Sequence, residues 1–291
     1  MKQDKILVVA FDGMDKELVE DFDLENIPQK EFGEIDNSTG IYRRMTSELF
    51  ASFITGETHE KHGIKDLKTS VSKRNKFLKW LFPKPILDYV KGTHTLREVL
   101  MDNKGKEKLK YTKNDLEIDT IFEEIDSSLP LYVPSYNPSM YWLSGIPHNV
   151  IKYFGHERFV KEARHDTELR LRKGSATQPA FFDVTKEFWD FIMLHLHDPD
   201  AFQDTGIGDL KEEYKRLDGI AGEILEEYSD WTVIFMSDHG KPVHGAGPHE
   251  HNKNAFYSCN RELFEENQKP HITDFHDKIL GISGQRSKYV E

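Results

Sequence analysis

Ile6-Leu7-Val8-Val9-Ala10-Phe11-Asp12-Gly13 is a six-residue apolar run that ends on an acid and a glycine. Two later stretches repeat the pattern. Phe191-Ile192-Met193-Leu194-His195-Leu196 leads into His197-Asp198-Pro199-Asp200, and Trp231-Thr232-Val233-Ile234-Phe235-Met236 leads into Ser237-Asp238-His239-Gly240. Apolar runs of this length suit strands buried on both faces, as in a parallel sheet covered by helices. Between the second and third runs, Leu210, Tyr214, Leu217, Ala221, Ile224 and Tyr228 recur at alternating steps of four and three. That stripe predicts an amphipathic crossover helix in a right-handed connection. The expected fold is a three-layer α/β/α domain with a mainly parallel central sheet. Ligands of such sheets gather beyond the carboxyl ends of the strands, so acids from three separate segments are expected on one rim.

Outward from these runs the alternation stops. From about 65 to 174 the chain lacks it, and the reading is a catalytic core of residues 1–64 and 175–291 with an inserted cap lobe at 65–174. The insertion opens with a basic segment, Lys68, Lys73, Arg74, Lys76, Lys79 and Lys84, interleaved with Phe77, Trp80 and Phe82. It reads either as a solvated face or as a positive lid over an anionic substrate. Helices are expected around Thr95–Met101 and Asp119–Asp126, and a turn over Val133–Pro138.

Composition narrows the function. The chain of 291 residues carries 39 Lys plus Arg against 51 Asp plus Glu, a net charge of −12, which argues against a nucleic-acid-coating protein. A hydrophobic fraction of 37% with 19 Phe, 11 Tyr and 4 Trp supplies a core and argues against disorder. The one cysteine, Cys259, excludes a disulfide framework and a cysteine-based zinc cluster, so metal ligands must be His and carboxylates. No apolar run reaches the length of a membrane span, and a cytoplasmic protein is expected.

The segment Thr46-Ser47-Glu48-Leu49-Phe50-Ala51-Ser52-Phe53-Ile54-Thr55-Gly56 reads as a short helix with hydroxyl residues at its mouth and a glycine at its end. Thr46 or Ser47 is the expected N-cap, and the exposed N–H groups there can hold an anion. His62-Gly63-Ile64 follows, with His62 read as a structural residue beside a turn glycine. Adjacent Asp238 and His239 after a buried strand point to cation ligation.

Asp12-Gly13, Thr46 with Thr55-Gly56, His62-Gly63-Ile64, Asp238-His239-Gly240 and His251, in this order, resemble the alkaline phosphatase superfamily. The resemblance is nearest to its type I phosphodiesterase/nucleotide pyrophosphatase branch and covers residues 5–64 and 185–258. It implies an alkaline-phosphatase-like fold and a metal-dependent phosphodiesterase or nucleotide pyrophosphatase with two divalent cations. Thr46 matches the nucleophile and a metal ligand; Asp12, Asp238 and His239 match the other ligands of the first cation. Asp200, Asp204 and His251 match the second, with His249 the alternative to His251 and His197 or Asp198 alternatives within the Asp200 loop. Two features depart from the pattern. Asp204 stands where relatives carry His, an oxygen-richer choice that brings manganese or magnesium beside zinc. Glu48 stands where relatives commonly carry Pro, and adds negative charge beside the expected phosphate.

The implied partner is a phosphorylated small molecule or nucleotide. The alternatives within the superfamily are a phosphomonoesterase, a phosphotransferase, or a degenerate member that binds a metal or nucleotide for regulation.

Overall fold

A computed structural model of the protein describes residues 4–65, 69–70, 107–108, 111–138, 156–175, 177–206, 208–243, 251–265 and 268–285. The first apolar run is β1 (Ile6–Phe11), buried at every residue. It is followed by α1 (Lys16–Asp21), β2 (Glu31–Glu34), α2 (Thr46–Thr55) and the single turn α3 (His59–His62). A two-residue pairing joins β3 (Thr69–Ser70) to β4 (Glu107–Lys108). Then come α4 (Ile121–Glu124), β5 (Ser128–Leu131), α5 (His156–Arg172), β6 (Phe191–Leu196), α6 (Asp198–Thr205) and α7 (Leu210–Glu227). β7 (Thr232–Met236), β8 (Phe256–Cys259) and α8 (Asp274–Ile282) complete the order.

Six strands form one sheet in the order β2-β8-β7-β1-β6-β5. The four from β7 to β5 run parallel, and the edge pair β8 and β2 runs antiparallel to its neighbours. The three apolar runs are therefore the sheet's centre, as the sequence predicts. Along β1 the side chains divide by parity: Ile6, Val8 and Ala10 enter one core, and Leu7, Val9 and Phe11 the other. The first core is closed by α2, α4 and α8 and the second largely by α7, which gives three layers. The predicted stripe is α7: Tyr214, Leu217, Ala221 and Ile224 are buried, and Asp209 caps its N-terminus by accepting from the Lys211 and Glu212 N–H groups.

The stretch expected to be inserted contributes to this core. β5 pairs in parallel with β6 along the sheet edge, and Leu171 of α5 lies in the second core. The expected acidic helix is the shorter α4, opened by a capping box between Thr120 and Glu123. The predicted turn over Val133–Pro138 is present. The basic segment from Lys68 to Lys84, apart from Thr69 and Ser70, the helix expected at Thr95–Met101, and His249 lie outside the described residues. Among the described residues no helix is long and apolar enough to cross a membrane.

Strand register sets the site. Phe11 stands beside Leu196 and Ala10 beside Met236, so Asp12, His197 and Asp238 leave the sheet together at its carboxyl rim.

Candidate metal centre

Asp12 is the hub of this rim. Its Oδ1 lies 3.3 Å from Thr46 Oγ1 and 3.5 Å from His239 Nε2, and its Oδ2 lies 3.1 Å from His195 Nε2 and 2.8 Å from His197 Nδ1. Burial alone raises a carboxylate's pKa, but the bonds from His195 and His197 hold Asp12 well below the usual range. Gly13 makes the crowding possible. It adopts φ +71, and a Cβ there would sit 3.0 Å from Asp200 Cβ and 3.1 Å from His239 Cε1.

His239 faces the same point as Thr46. Its Nδ1 is 3.0 Å from the Gly240 carbonyl, an acceptor only, so Nδ1 carries the proton. Nε2 then presents its lone pair 3.4 Å from Thr46 Oγ1 and 3.5 Å from both Asp12 Oδ1 and Asp238 Oδ2. Asp238 accepts the Gly13 N–H at Oδ1, whereas its buried Oδ2 makes no hydrogen bond among the described residues. Burial pushes the Asp238 carboxyl up to about 7, while Asp238 and Asp12 raise His239 against its own desolvation. Two buried carboxylates, one of them with an orphaned oxygen, and an imidazole lone pair fit a divalent cation.

A second group adjoins the first. Asp200, His239 and His251 bring ligand atoms within 4.8 Å of one another, as do Asp12, Asp238 and His239 in the first group and Asp12, His195 and His197 in a third. The His239 and His251 rings lie 3.9 Å apart. Asp204, one turn beyond Asp200 on α6, belongs to none of the three groups; it is exposed, within electrostatic reach of His239, His197 and Asp12. Asp198 faces away from them: fully buried, it is bonded by Thr167 and Arg216.

Two expectations at α2 are corrected. The N-cap is Met45, which offers no side-chain cap bond; Thr46 is the first helical residue, and its hydroxyl turns to Asp12 and His239 instead of to the helix end. Glu48 does not place its charge beside Thr46's oxygen. It is wholly buried, accepts the Tyr42 N–H at 2.6 Å and the Arg43 N–H at 2.9 Å, and lies 3.4 Å from His59 Nδ1. Its carboxylate replaces missing backbone acceptors in the loop that delivers Thr46. Glu48→Ala strands both N–H groups and is expected to cost about 2–3 kcal/mol in urea unfolding, with Glu48→Gln milder.

His62 is structural, as read from the sequence. Nδ1 accepts the Ile64 N–H at 3.1 Å, so Nε2–H donates to Ser52 Oγ at 3.1 Å. Burial, with repulsion from His59, lowers its pKa from 6.5 to about 4. Between those values the unfolded chain holds more protons than the folded one, so this contribution is present above pH 6.5 and is lost as pH falls toward 4. Urea midpoints measured across that window are expected to fall toward acid, and His62→Gln is expected to flatten that part of the curve.

Several supporting residues gave no signal in the sequence. Asp15 accepts from the Lys241 N–H, Asn252 Nδ2 and Asn254 Nδ2, tying the β1 loop to the β7–β8 connection. Asn37 Nδ2 donates to the Asp238 carbonyl at 2.7 Å, and Arg44 Nε to the His251 carbonyl at 3.0 Å. His195 carried the one usable signal, a polar residue inside an apolar strand. Arg170, which only donates, lies 3.2 Å from His195 Nδ1, so His195 Nε2 bears the proton given to Asp12. Burial lowers His195 to about 4, in keeping with that neutral form.

Residues 6–243 match the type I phosphodiesterase / nucleotide pyrophosphatase family. No curated protein matches the sequence. Among solved structures, the PH0037 protein from Pyrococcus horikoshii superposes with a TM-score of 0.52 at 12% identity, each chain covered completely. BT1596, a 2-O GAG sulfatase, gives a TM-score of 0.50 at 8% identity, covering 99% of this chain and 72% of the sulfatase. Murine ectonucleotide pyrophosphatase / phosphodiesterase 5 gives 0.37 at 16% identity, covering 81% of this chain and 57% of the murine one. The fold is thus the alkaline-phosphatase-like one.

Proposed function

The chain belongs to the type I phosphodiesterase/nucleotide pyrophosphatase family of the alkaline phosphatase superfamily and is a phosphoester hydrolase; from that premise we propose that it cleaves phosphate diesters or nucleotide pyrophosphate linkages with Thr46 as nucleophile. The observation that carries this reading is the approach of Thr46 Oγ1 to Asp12 Oδ1 and His239 Nε2, at 3.3 and 3.4 Å, on the sheet's carboxyl rim. The hydroxyl donates to Asp12 Oδ1, and with the His239 Nε2 lone pair reserved for a cation its proton would pass by way of Asp12 to solvent as the oxygen attacks phosphorus. The Thr46 Oγ–P bond forms as the bond to the leaving alcohol or phosphate breaks, and water then cleaves the phosphothreonine ester.

Asp12, Asp238 and His239, with Thr46, are proposed to hold the first cation, and Asp200 and His251 the second. Bound there, the cations lower the pKa of the attacking oxygen and neutralise charge on the phosphoryl oxygens. Zinc or manganese suits these nitrogen and carboxylate donors, with magnesium the oxygen-preferring alternative. Thr46 opens α2, so the N–H groups of the first turn face the side from which it attacks and favour an anion. Murine ectonucleotide pyrophosphatase / phosphodiesterase 5 has been solved with AMP, and a nucleotide or another phosphorylated small molecule is the proposed substrate class here. An inserted cap lobe within 65–174 is also proposed.

The test is hydrolysis of bis(p-nitrophenyl) phosphate, p-nitrophenyl phosphate and a nucleoside 5′-p-nitrophenyl ester with Zn²⁺, Mn²⁺, Mg²⁺ or EDTA. Diester turnover above monoester turnover, abolished by EDTA, is the expected result. Monoester preference assigns a phosphatase instead.

A further inference from the structure

Val160, Ala163, Thr167, Arg170 and Leu171 recur on one buried face of α5. Thr167 and Arg170 interrupt this apolar face, and each spends its polar group on a segment that leads to a proposed cation ligand. Arg170 Nη1 donates to the His195 carbonyl at 2.7 Å and lies 3.2 Å from His195 Nδ1. That double hold fixes the imidazole so that its Nε2–H bonds Asp12 Oδ2 at 3.1 Å. The guanidinium is itself paired with Asp166, one turn back, at 2.5 Å, and lies over the Tyr132 ring. Thr167 Oγ1 donates to Asp198, whose other carboxylate oxygen is held by Arg216 of α7. Asp198 is the first residue of α6, so this clamp sets where the turn that carries Asp200 begins. Burying an arginine and an aspartate is costly even when both are partnered, and an apolar set closes such a face at less cost.

We infer that α5 aligns the two halves of the cation centre, with Arg170 and Thr167 as positioning residues: Arg170 acts on the first cation through His195 and Asp12, and Thr167 on the second through Asp198 and Asp200. Docking of α5 and filling of the centre are then one linked equilibrium. The cations hold the helix down, and the helix holds the ligands in place. This rests on the two-cation reading above and adds to it a separate control point for each ion.

The test is calorimetric titration of the full chain with Zn²⁺, with Asp12→Asn and Asp200→Asn assigning the two binding steps and thermal melts confirming folding. Arg170→Met keeps the stem and loses the donors. It is expected to weaken the first ion about tenfold, on the scale of lost outer partners, and to leave the second at wild-type affinity. Thr167→Val is expected to do the reverse. Arg170→Lys and Thr167→Ser, which keep a donor at each place, are expected to recover most of the affinity. Arg172→Met, which cuts the exposed bond from α5 to Glu223, is expected to change neither ion. Amide exchange of α5, followed by mass spectrometry, is expected to slow when zinc fills the wild-type centre. A helix that serves packing alone gives other results. Arg170→Met and Thr167→Val then weaken both ions alike or neither, or exchange in α5 is indifferent to zinc, and any of these overturns the assignment while the two-cation reading stands. Fewer than two ions in wild type overturns both.

Discussion

Thr46→Ala is expected to lower metal-dependent diester hydrolysis by about 10³-fold or more, a loss on the scale seen when a covalent nucleophile is removed. At about 1.4 kcal/mol per factor of ten, that is some 4 kcal/mol of transition-state stabilisation. The same change removes only one hydrogen bond from the folded state, the 3.3 Å contact to Asp12, worth about 1 kcal/mol. Activity and stability should therefore separate. Steady-state turnover of bis(p-nitrophenyl) phosphate beside a urea melt checks both. A Thr46→Ala protein with wild-type melting and wild-type turnover assigns the attack to water and removes Thr46 from the chemistry.

The second large effect is expected at Asp12. Asp12→Asn takes one charge from the first centre and sets a donor where two acceptors worked. If the new amide NH₂ faces His195 and His197, it meets their N–H groups, because Arg170 fixes the His195 tautomer. If it faces Thr46 and His239, the cation site loses its carboxylate oxygen. Either way zinc affinity at the first centre should fall by about 100-fold or more, and turnover with it. Titration calorimetry with Zn²⁺ on Asp12→Asn and wild type reads the affinity directly.

What the sequence yields follows from where the signal is periodic. β1, β6 and β7 are legible because strands buried on both faces must be continuously apolar, and α7 because one of its faces must be. The parallel register then makes Asp12, His197 and Asp238 neighbours, so much of the site follows from the strands alone. β5 escapes such a reading: Ser128-Leu129-Pro130-Leu131 is a short edge strand with a proline, tolerable only because an edge has no second partner to satisfy. Glu48 escapes for another reason. An acid one turn into a helix reads as solvated or as a field on the substrate, and only the folded chain reveals the Tyr42 and Arg43 N–H groups it must accept. The tautomers of His195 and His239 are likewise beyond a sequence, since each is set by a partner distant in the chain or by a carbonyl orientation.

The most direct test of the central claim is the stereochemical course at phosphorus, using a diester substrate made chiral by sulfur and isotopic oxygen. Attack by Thr46 followed by attack of water is two in-line displacements, each inverting the centre, so the account predicts net retention of configuration. Net inversion means a single displacement by water and contradicts it.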